Sequence, residues 1–72
     1  MNSNIREAVI NNFQDESITN LIKTINDSVG QNDETVLPGL GVIFEVLWKS
    51  CDNEEKLMLA NAISKNIKTL NK

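Results

Sequence analysis

The chain has no histidine and no tyrosine, and it carries a single cysteine, a single proline and a single tryptophan. Each scarcity removes a class of chemistry. Without histidine the commonest general base is missing, and a zinc site has too few ligands to draw on. Cys51 has no partner for an intramolecular disulfide. Secreted domains of this size generally carry paired cysteines, so the chain is expected to stay inside the cell. The first reading of that lone thiol is a small buried hydrophobe. Long apolar runs are missing too. The stretch from Val36 to Trp48 is interrupted by Pro38 and Glu45 and falls short of the roughly 20 apolar residues a membrane span needs. The opening MNSNIREAV has no basic segment followed by an apolar one, so it does not read as a secretory signal.

At 72 residues there is room for one domain, residues 1–72. A chain this short buries only about 60% of the surface it exposes when unfolded. Small scaffolds make up the deficit with disulfides, a metal, an oligomer or very regular helix packing. The first two are excluded above, which leaves packing or self-association. The net charge is -3, and overall acidity opposes strong nucleic-acid binding, which draws mainly on phosphate neutralisation. The charge is uneven, however. Residues 1–36 hold Arg6 and Lys23 against six acids, whereas residues 56–72 hold four lysines and no acid.

Apolar spacing predicts four helices. Ser3 is placed to cap the first, in which Ile5, Ala8, Val9 and Phe13 share a face. Asp15 to Ser17 offer a cap for the second, where Ile18, Leu21, Ile22, Ile25 and Val29 form the cleanest amphipathic stripe and Gly30 stands where a left-handed cap is expected. Residues 31–35, QNDET, read as an exposed loop, with Thr35 as cap and Pro38 in the first turn of the third helix. That helix, LPGLGVIFEVLWKS, is apolar around most of its circumference, the pattern of a helix buried on several sides. A strand competes for VIFEVLW, but no second strand is available to satisfy its backbone. The fourth helix opens on DNEE, where Asp52 and Glu55 match a capping box, and it closes with lysines suited to the helix dipole. Its inward face is Leu59, Ala60, Ile63, Ile67 and Leu70. The expected architecture is therefore all-α: a small bundle of four short helices packed around a central apolar helix.

The motifs that suggest chemistry are weak. PGLGV could be taken for a phosphate loop, but no G-K-[ST] follows, and the third glycine of G-x-G-x-x-G is Phe44 here. Glycine inside a helix costs on the order of 1 kcal/mol relative to alanine, so Gly41 is expected to let another helix cross closely or to leave room for a ring. Gly39 is assigned to the junction of loop and helix. Glu45 is the sole acid between Leu37 and Cys51; its expected role is a solvent-facing position paired with Lys49. An enzyme would need a reactive Cys51 or Glu45, and neither has a base nearby in sequence. Leu40, Gly41, Phe44, Leu47 and Trp48 are the candidates for core or for a self-association surface, since tryptophan is favoured at the centre of interfaces. Lys65, Lys68 and Lys72 form a stripe that could contact phosphates weakly, although a solvated face is the plainer reading.

The segment LPGLGVIFEVLWKSCDNEEK at 37–56, with IREAVINN at 5–12, closely resembles the small acid-soluble spore protein I family of spore-forming Firmicutes. The spacing LPGLGV-x-FEV-x-W is highly specific for so short a protein. The ending LANAISKNIKTLNK departs from the more acidic tail associated with the family. The resemblance implies synthesis in the forespore, residence in the spore core, no enzymatic activity and no catalytic residues or cofactor. It also sets the chain apart from the DNA-coating alpha/beta-type spore proteins. The expected partners are a second copy of the chain or an unidentified spore-core component; DNA through the basic terminal helix is the alternative, and no membrane is expected.

Overall fold

Helix boundaries follow from the caps that the sequence supplies. The computed structural model describes residues 4–70. Along them run α1 (Asn4–Phe13), α2 (Ile18–Gly30), a 3-10 turn (Glu34–Val36), α3 (Leu37–Ser50) and α4 (Asn53–Leu70), with no strand among the described residues. The expected cap at Ser3 lies outside them. Ser17 caps α2, its Oγ accepting the Asn20 amide at 3.1 Å. At α4 the capping box is complete. The Glu55 amide donates to Asp52 Oδ1 at 2.8 Å, and the Asp52 amide donates to Glu55 Oε1 at 2.9 Å.

Two boundary expectations need correction. Gly30 is the last residue of α2 and is not left-handed; the positive φ, 59°, belongs to Asn32. Asparagine tolerates that conformation because its short polar side chain can bond locally. Nor does Thr35 cap α3. Its amide donates to Asp33 Oδ1 at 2.9 Å, which opens the 3-10 turn, and that turn runs directly into α3. Val36 therefore precedes α3 with no side-chain cap, and Pro38 occupies the first turn, where its missing N–H forfeits nothing.

The bundle around a central apolar helix is met only in part. α3 packs principally against α1, and Val42 is the only residue among those described that is buried, at 9% exposure. Phe44, Val46 and Leu47 of the same helix are exposed. For Phe44 the reason lies in α4. Cys51 and Asp52 alone connect α3 to α4, and only Lys56 and Leu59 of α4 are partly covered, while every described residue from Ala60 onward is exposed. α4 is thus an arm held near its base. The radius of gyration, 13.8 Å, exceeds the about 11 Å expected of a compact chain of this length. Accessible surface is likewise in excess: 6116 Å² against about 4,500 Å² for a compact monomer of this mass.

Candidate interaction groove

α3 and the free length of α4 enclose an open groove of about 720 Å³. Phe44 and Trp48, one turn apart on α3, form one wall with ring centroids 5.5 Å apart and planes inclined at 33°. Ile63 and Ile67, at i and i+4 on α4, form the other. At the closed end Lys56 Nζ lies 5.7 Å from the centre of the Trp48 ring, a cation–π contact that ties the base of the arm to α3. Phe44, Ile63 and Ile67 remain 41%, 42% and 54% exposed. Polar atoms reach the groove only at its rim, from Glu45, Lys49, Ser64 and Lys68.

Glu45 is not the solvent-facing partner of Lys49 expected from helical spacing. It is partly covered and forms a two-pronged ion pair with Arg6 of α1, Nε to Oε1 at 2.6 Å and Nη2 to Oε2 at 2.9 Å. A planar guanidinium satisfies both carboxylate oxygens at once, which the ammonium of Lys49 cannot do. The hydrogen bonds from Arg6 hold the Glu45 carboxyl below the usual carboxylate range, and Glu45 in turn raises Arg6. Lys49 adds a smaller electrostatic contribution in the same direction. Arg6 escaped the sequence reading. The available signal was a lone acid on an apolar helix in a chain with one arginine.

The five residues expected to act together are divided by the structure. Phe44 and Trp48 line the groove. Leu40 faces the opposite side, toward Ile25 of α2 and Val36. Leu47 is exposed outside the groove. Gly41 has nothing within 4 Å of the place a Cβ would take, so it admits neither a crossing helix nor a ring. Gly39 lies against α1, but a Cβ there would stand 3.9 Å from Val9 Cγ2, an ordinary van der Waals contact, so the packing with α1 does not require a glycine. Of the lysine stripe, Lys68 reaches the groove rim, Lys65 is exposed, and Lys72 lies outside the described residues. Cys51 is partly covered just after α3.

This arrangement can receive apolar side chains. It has no cluster of converging polar groups to orient a small substrate, and its one carboxylate is committed to Arg6. The model of the family described as "Small, acid-soluble spore protein I" matches residues 3–67. The chain belongs to the small acid-soluble spore protein I family. It is 40% identical over 67 residues to the small, acid-soluble spore protein I of Halalkalibacterium halodurans, covering 93% of this chain and 98% of that one. The Bacillus mycoides protein of the same description is 40% identical over 68 residues, covering 94% and 99%. The Bacillus cytotoxicus protein is 38% identical over 68 residues, covering 94% and 97%. No solved structure matches. As a member of the small acid-soluble spore protein I family, the chain is a non-enzymatic spore protein. Phe44, Trp48, Ile63 and Ile67 all lie inside the matched segment, and Lys68 lies just beyond it. No helix among the described residues is long and apolar enough to cross a membrane.

Proposed function

We propose that the chain is made in the forespore and held in the spore core as a structural or interaction protein whose working surface is the α3–α4 groove. In that working form α3 is the central helix, and its open flank is covered by whatever occupies the groove. The observation that carries this reading is the solvent-open apolar channel walled by Phe44, Trp48, Ile63 and Ile67. Contiguous exposed apolar surface on a small protein marks an interaction site. A photoreactive side chain at position 64, on the groove rim, should form adducts in intact spores and in the core fraction. The same group at the exposed position 20 of α2 should form few. Equal labelling from the two positions, or recovery of the chain from the outer layers alone, would reject the proposal.

Four lysines and no acid in residues 56–72 favour a second reading, weak DNA association through the end of α4. It requires salt-sensitive retention on DNA that disappears when Lys65, Lys68 and Lys72 are changed to glutamine. Absence of retention at low salt removes it.

A further inference from the structure

We infer that the occupant of the groove is the groove of a second copy, in a two-fold dimer whose α4 arms cross antiparallel, each closing the other's channel. This inference rests on the groove being the working surface and names what fills it.

The first argument is area. The chain exposes roughly 1,600 Å² more than a compact monomer of its mass. A standard interface removes about 800 Å² from each partner, and obligate homodimers remove more. The excess is therefore more than enough to supply such an interface, whereas a small ligand in a groove of about 720 Å³ would leave most of it in water. Part of it lies at the groove and along α4, while α2 exposes Ile18, Ile22 and Val29 elsewhere. Phe44 is on one wall, Ile63 and Ile67 are on the other, and Leu57 and Leu70 lie along the same arm, all exposed.

The second argument is shape and symmetry. Two helices joined by two residues and splayed apart form a wedge-shaped channel open along its length. A two-fold axis makes the same patch meet itself, so each arm becomes both the insert and half of the receiving wall. Ala60 beside Ile63 gives α4 the alternation of small and large residues that lets two helices approach closely. The third argument is charge. α4 carries Glu54 and Glu55 in its first turn, and Lys65 and Lys68 in its second half. Antiparallel crossing sets the acidic end of one arm near the basic end of the other and opposes the two helix dipoles, whereas parallel crossing would set like beside like.

The test is the molar mass of the full chain in solution from about 1 µM to about 100 µM, followed by light scattering and by the emission of Trp48, the sole tryptophan. The wild type should associate to twice the chain mass with a blue shift of Trp48. Ile67→Glu should weaken association by roughly 100-fold, because it places an unpaired charge at the centre of the contact. Ser64→Glu, at an exposed rim position that the monomer fold does not use, gives the same readout if Ile67→Glu fails to fold. A wild type that stays monomeric throughout overturns the dimer, and so does a dimer that persists unchanged in Ser64→Glu. If the wild type is monomeric while position 64 still labels selectively in spores, the groove keeps its role and receives a different partner. If the wild type dimerises through the groove and position 64 labels no better than position 20, the dimer stands and the proposed spore role falls.

Discussion

α1 and α4 flank the same helix and are held to it by different means. α1 has only 10 residues, too few to persist alone in water, since isolated helices shorter than about 12–15 residues are marginal. It survives by docking: Arg6 grips Glu45 with two hydrogen bonds, and Val9 settles over Gly39. α4 has 18 residues, a complete capping box, acids in its first turn and a lysine in its last. Local terms support it along its length, while tertiary contact is confined to its base around Lys56 and Leu59. The difference separates two things that a helix needs. Capping and dipole make a segment helical, but only packing decides where it lies, and α4 has the first without much of the second.

The sharpest way to break the comparison is at Val42, the one buried side chain among the described residues. It borders a small apolar cavity with Val9, Phe13 and Leu21, so α1, α2 and α3 all depend on it. Val42→Ala should lower stability to urea by roughly 2 kcal/mol, from lost burial and an unfilled cavity. Val42→Asp should unfold α1–α3 outright, because an unpaired carboxylate there has no cation to meet it. Circular dichroism of that variant should retain a residual helical signal from the locally supported α4. Complete loss of helix in a single step would show instead that α4 depends on the rest as fully as α1 does.

A smaller effect, localised to the arm, is expected at its cap. Asp52→Ala removes one acceptor of the capping box and should cost about 1 kcal/mol. Amide exchange should speed up along α4, while the amides of α1 and α3 remain nearly as protected as before. An equal acceleration in α1 would mean that the two arms unfold together. Gly41→Ala should act in the opposite direction. With open space around that position, the added methyl removes a helix-interior glycine and raises stability by up to about 1 kcal/mol. A loss at that site, seen only at concentrations where the chain associates, would place Gly41 inside the interface.

What could be read in the sequence divides along the same line. The helices, the cap at Ser17 and the box at Asp52 and Glu55 were legible because they are local: each depends on a few residues at fixed spacing. Gly30 misled because a glycine near a helix end is only permitted to turn left-handed, and the chain ran through it to turn at Asn32. The groove was visible only as ingredients. Phe44 and Trp48 stand out by composition, and Ile63 and Ile67 by period, but the same stripes describe a closed core equally well. Whether such faces meet inside one chain depends on the direction that α4 takes after Cys51 and Asp52, and a two-residue connection does not encode that direction in any pattern. The pairing of Arg6 with Glu45 was hidden for a related reason. Helical spacing offered Glu45 a nearby lysine, and the better-shaped partner came from a different helix.

That ion pair supplies the gentlest probe of how α1 is held. Arg6 keeps the Glu45 carboxyl below its ordinary range, so the folded state binds a proton at this site less readily than the unfolded chain. The stability contributed by the pair is therefore fully present above the unfolded glutamate value, and it declines as pH falls through the lowered folded value. Asp33, held low by Thr35, declines in the same direction, so the informative quantity is the difference between the wild type and Glu45→Gln. That difference should be constant above the carboxylate range and shrink toward zero below it. Arg6→Lys should flatten the wild-type curve nearly as much, because an ammonium cannot make both bonds. The pair sits in water, so added salt should reduce the difference at every pH. If Glu45→Gln leaves the acid limb unchanged at low salt, α1 is held by Val9 and Gly39 alone, and the contrast with α4 is one of packing without electrostatics.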